Sequence, residues 1–113
     1  MMTVNTLYDM LPTIINVTAS KKIKWNIDPS GGYFFSVGKN TINVWDMTDQ
    51  GEDESGFAIR LLDSNKEIVE YINTNYTYNK IEDYLSTIYN LARRSALDVE
   101  KVLGEVYDTL SSL

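Results

Sequence analysis

Histidine and cysteine are both absent from the 113 residues. That removes disulfides, thiolate and imidazole metal ligands, nucleophiles activated by histidine, and zinc-water chemistry built on such ligands. With only two prolines and six glycines, a disordered or low-complexity majority does not fit the composition. No run approaches the ~18 apolar residues of a membrane span. Met1 to Met10 carry no basic segment, and Asp9, Pro12, Thr13 and Asn16 interrupt the apolar residues nearby, so a signal peptide is not expected and a cytoplasmic protein is. Basic residues are in deficit, ten against sixteen acids for a net charge of -6. Affinity for phosphate backbones is built from accumulated Lys and Arg, so this balance argues against a nucleic-acid partner.

What remains is an ordinary globular mixture, 43% hydrophobic and 23% charged, of a length that supports one domain with its own core. Richness in Asn, Ile, Tyr and Lys fits coding by an AT-rich bacterial or phage genome. Val4, Leu7, Leu11, Ile14 and Ile15 recur at spacings of three and four, which predicts an amphipathic helix over residues 3 to 18 with Thr3 as its cap. Pro12 removes an amide donor inside it, so a kink or a later start is expected.

From Ile23 the period changes to two. Ile23, Trp25 and Ile27 alternate with polar residues as a strand, and Asp28-Pro29-Ser30-Gly31-Gly32 has turn chemistry. Strands follow at Tyr33 to Val37 and Thr41 to Met47, joined by Gly38-Lys39-Asn40. Phe57 to Asp63 and Glu67 to Asn73 form a second hairpin around Ser64-Asn65, with Asn65 suited to the left-handed region. After it, Ile81, Leu85, Ile88, Ala92, Ser95, Val99, Val102, Val106 and Leu110 hold one helical stripe. A single helix of ~32 residues would measure ~48 Å, so two helices are expected, broken at residues 95 to 98 with Asp98 as the second N-cap.

The expected architecture is a single α+β domain over residues 1–113: an N-terminal helix, an antiparallel meander of about five strands, and one or two C-terminal helices packed on the sheet. Ile23, Trp25, Ile27, Tyr33, Phe35, Val37, Ile42, Val44, Phe57, Ile59 and Leu61 form the inward set. Phe34, Trp45, Met47, Ala58 and Leu62 fall out of phase with it, so the second sheet face needs cover from the N-terminal helix, a symmetry mate or a ligand.

Motifs for chemistry are thin. Gly38-Lys39-Asn40 is not a phosphate loop, because Tyr33 stands where its first glycine must be and Asn40 where a magnesium-binding hydroxyl belongs. Asp46, Asp49, Glu52, Asp53 and Glu54 lack calcium-loop spacing and read as a solvated connection. Charge is uneven: residues 1 to 45 carry +2, residues 46 to 54 carry -5, and the remainder -3. Lys21, Lys22 and Lys24 lie beside Trp25 but alternate away from it. Arg94 and Asp98 have helical i,i+4 spacing.

These features favour a non-enzymatic intracellular interaction module, without cofactor or metal, that self-associates as a homo-oligomer or docks on a protein partner. Its candidate residues are Phe34, Trp45 and Leu62 on the second sheet face and Tyr84, Tyr89, Arg93 and Arg94 on the helical segment. The alternative is a phage or mobile-element protein that sequesters a small anionic, nucleotide-type ligand at a pocket shared between subunits and lined by Arg93, Arg94 and tyrosines. An enzyme would have to work with carboxylate, tyrosine or lysine alone, and no constellation of these is apparent.

Overall fold

Hydrophobic periodicity sets the layers. A computed structural model describes residues 4–113. Helix α1 (Leu7–Ala19) is followed by strands β1 (Asn26–Ile27), β2 (Tyr33–Val37), β3 (Asn40–Asp46), β4 (Phe57–Leu62) and β5 (Ile68–Asn73), then helices α2 (Ile81–Ala96) and α3 (Val99–Ser111). The five strands form one antiparallel meander in sequence order. The chain is thus α+β, with helix, sheet and two C-terminal helices in the expected order.

Leu7, Leu11 and Ile14 of α1 and Ile81, Leu85, Ile88 and Ala92 of α2 are buried with Phe35, Ile42, Val44, Ile59 and Ile72 of the sheet in one cluster. Both helices therefore lie on the same side of the sheet. Spacings of four and three in α1, and of four, three and four in α2, put these side chains on a single stripe of each helix. Trp25 closes one end of this core and is fully buried. Its indole N–H donates to Thr18 Oγ1 at 3.0 Å, its ring meets Phe35 edge-on at 4.5 Å, and its backbone N–H donates to Ser95 Oγ at 2.9 Å. One residue so ties together α1, β2 and the end of α2.

Several local expectations change. The helix cap is Thr6, which forms a capping box with Asp9; the expected cap, Thr3, lies outside the described residues. Helix α1 starts later than the pattern suggested and runs on through Pro12. The first strand shortens to Asn26–Ile27, because the Trp25 amide is taken by Ser95 instead of by a sheet neighbour. Ile27 and Val37, assigned inward, are more than half exposed; each is the last residue of its strand. In the second hairpin, Lys66 and not Asn65 takes the left-handed conformation, at φ 66°. Gly32 is required where it stands: at φ 75° an added Cβ would lie 2.2 Å from the Val44 carbonyl oxygen.

Helix α3 departs from the rest. The break falls at Leu97 and Asp98 as the helix-length argument required. Asp98 is the N-cap residue, but it is left-handed (φ 51°, ψ 44°) and its side chain makes no capping bond; the carboxylate pairs with Lys24 at 3.0 Å. No residue of α3 is buried. The radius of gyration, 15.6 Å, exceeds the ~13 Å of a compact chain of this length, as a projecting helix requires.

Candidate functional site

Three places bear on function, and they take in only some of the residues singled out from the sequence. The first is the sheet face away from the helices, where the strand registers align Phe34, Asn43 and Arg60 in one row and Trp45 with Ala58 in the next. The chain covers much of this face itself. Arg60 lies over the Trp45 ring at 5.4 Å and donates to Asn43 Oδ1 at 3.3 Å, while Asn43 Nδ2 donates to Asp28. Trp45 Nε1 donates to Glu52 Oε2 at 2.8 Å and its ring approaches Tyr71 at 5.9 Å.

Of the sources expected from the sequence, the N-terminal helix does not supply this cover. Helix α1 is on the opposite side of the sheet, and flat-lying side chains with the acidic loop do the work instead. Met47, Ala58 and Leu62 are buried despite facing away from the helices. Asn43, only 3% exposed, has both ends of its amide engaged, which satisfies the demand that buried polar groups be hydrogen-bonded. Phe34 and Trp45 remain half-buried.

The acids of the loop act as ties. Asp46 accepts from the Thr48 and Asp49 amides, Glu52 from Trp45, and Glu54 from Asn75. Among the described residues, no three acidic side chains gather as a metal site. Tyr84 and Tyr89 are likewise drawn into packing. Tyr84 tilts against Tyr8 at 6.1 Å, and Tyr89 lies 5.5 Å from Tyr33 and 4.8 Å from Phe57. Burial, with Tyr33 beside it, pushes the Tyr89 hydroxyl up to about 12. Tyr89 borders a small cleft that also carries Asp28, Asp46 and Asp49, an environment that repels anions. The arginines are elsewhere, so within one chain Arg93, Arg94 and the tyrosines do not share a pocket.

The second place is the junction of α1, α2 and α3. A cleft of about 480 Å³ opens between Thr18, Ala19, Ile23 and Leu91 on one side and Ser95, Asp98, Val99 and Glu100 on the other, with Lys21, Lys22, Lys24, Arg94 and Lys101 along it. Arg94 is here; exposed Arg93 is not among the lining residues. Local geometry puts Lys21 in place. α1 ends in paired bonds from the Lys21 amide to the Thr18 carbonyl and from the Lys22 amide to the Val17 carbonyl, leaving Lys21 left-handed at φ 62° where glycine is the usual residue.

Two ion pairs cross the cleft, Lys21–Glu100 and Lys24–Asp98. The Lys21 hydrogen bond, assisted by the charges of Lys21 and Arg94, holds the Glu100 carboxyl below the usual carboxylate range. Asp98 thus pairs with Lys24, not with Arg94 as helical spacing suggested. Adjacency in sequence concealed this cleft, because its cations come from the end of α1, the approach to β1, α2 and α3.

The third place is α3 itself. Val102, Leu103, Val106, Tyr107, Leu110 and Leu113 are all at least about half exposed. Val99, Leu103, Val106, Leu110 and Leu113 repeat at spacings of four and three, the a/d period of helix pairing. Val102 and Tyr107 flank that seam. Lys101, Gly104, Glu105, Asp108, Ser111 and Ser112 occupy the opposite side, so no charge falls on the seam. The stripe was visible in the sequence, but its accessibility depends on α3 leaving the body at Asp98. No protein-family model, curated protein or solved structure matches the chain.

Proposed function

We propose that this chain is a non-catalytic interaction module whose docking element is α3 and whose partner is a second copy of itself. The observation that carries the reading is a thirteen-residue helix with an apolar seam and no buried residue. Contiguous exposed apolar surface of this kind is costly unless something covers it. Helices of this length are marginal in water by themselves, so covering the seam also sustains the element that bears it.

A second copy suits the seam because the surface is self-complementary. It is uncharged along its length and polar on its far side, and two such faces can pair without burying an ion. At 1.5 Å per residue the helix is ~20 Å long. That is short for an isolated two-stranded pair, so exposed Leu97 at the junction would extend the contact toward the body. The sheet face supports docking less well, because Arg60, Asn43 and Asp28 occupy its centre with their own hydrogen bonds.

Sedimentation velocity over a hundredfold concentration range tests the reading. The parent chain is expected to shift from monomer to dimer or a higher closed oligomer. Val106→Glu with Leu110→Glu is expected to stay monomeric with an unaltered near-ultraviolet circular dichroism spectrum. A parent chain that remains monomeric at the highest concentration contradicts the proposal.

A further inference from the structure

We infer that the cleft at the α1–α2–α3 junction binds a small, soluble anion carrying two or more phosphate groups. Five of the chain's ten basic residues line it, in a protein whose net charge is -6. Lys21 and Lys24 are partnered by Glu100 and Asp98. Lys22, Arg94 and Lys101 make no ion pair or side-chain hydrogen bond among the described residues. The site therefore holds a surplus of three cations, contributed by separate segments, around a concavity of about 480 Å³, within the range of small-molecule sites.

The chemistry of the ligand follows from this inventory. A compact polyanion can engage several of these donors together, and a guanidinium suits the paired oxygens of a phosphate. It must also compete with two carboxylates already present, which disfavours monoanions. Among the described residues no aromatic side chain lines the cleft, so a nucleobase would find no stacking surface there. Affinity should reside in the phosphates and be nearly indifferent to any base attached. The basic surface is confined to one cleft instead of forming a track, which fits a small ligand and not a nucleic-acid strand.

The test is calorimetric titration of inorganic triphosphate into the full chain at fixed ionic strength, with sodium chloride as the control for screening. One saturable site per chain is expected. Lys22→Gln with Arg94→Gln should weaken binding by about tenfold or more, the loss expected of charge-assisted bonds. Glu100→Gln, which removes an internal competitor, should strengthen it. Thermal melts of each variant check that the fold survives.

Adenosine and guanosine triphosphates are expected to bind within a few-fold of inorganic triphosphate. Absence of saturable binding overturns the inference, as does binding insensitive to both sets of substitutions. Preferential binding to phosphatidic acid vesicles or to a single-stranded oligonucleotide would assign the cleft to a membrane or to nucleic acid, and likewise overturn it. Each titration is repeated on Val106→Glu with Leu110→Glu, so the outcome does not depend on whether α3 pairs.

Discussion

Trp25 shows how much a single residue can organise here. Its alternation with lysines announced a buried position, and it is fully buried. Its three partners lie 7, 10 and 70 residues away, and nothing local in the sequence could name them. Tyr89 carries a similar lesson with a measurable consequence. It was legible as an aromatic on a helix, but its neighbours Tyr33 and Phe57 depend on the sheet register. Its hydroxyl rises from an ordinary 10.0 to about 12, chiefly through burial. The folded state therefore keeps a proton that the unfolded state gives up. That contribution is intact below pH 10 and is lost as pH rises toward 12. Tyr89→Phe should accordingly flatten the fall in stability across this interval, as followed by urea denaturation at successive pH values. An unchanged slope would contradict the burial argument.

At the scale of elements, periodicity located both long helices, and strand alternation located β2 through β5 to within a residue or so of each boundary. The ends were less legible because they depend on contacts remote in sequence: β1 is cut short by Ser95, and α3 starts from a left-handed Asp98 whose side chain turns to Lys24 instead of capping it. The cover of the second sheet face was not legible either. It depends on Arg60 lying flat over Trp45 and on a loop folding back to place Glu52, whereas alternation records only which side a residue faces. Element termini also hold a testable strain. Lys21 occupies the left-handed position that ends α1, where a side chain costs roughly 1–2 kcal/mol relative to glycine. Its exposed pair with Glu100 returns little of that. Lys21→Gly is expected to stabilise the chain by about 1 kcal/mol, raising the thermal midpoint by roughly 4 °C. A lowered midpoint would mean that the ion pair outweighs the backbone strain.

For the whole molecule, the arrangement divides the labour. One side of the sheet holds the core, the other is covered largely by the chain's own polar and aromatic side chains, and α3 carries a contiguous uncovered apolar seam. The clustering of basic residues was only half legible: Lys21, Lys22 and Lys24 formed one group and Arg93-Arg94 another, and only the fold selects Arg94 to join the lysines. The acidic surplus, in contrast, sits largely in one loop that fastens the second sheet face. Absence of cysteine makes the central claim directly accessible, because a single introduced thiol has no competitor within the chain. Leu103→Cys lies on the seam of α3 and Glu105→Cys on its far side. Under mild oxidation at micromolar concentration, self-association through α3 predicts rapid disulfide dimerisation of the Leu103→Cys chain and little of the Glu105→Cys chain. Equal cross-linking at the two positions, or none at position 103, would contradict it.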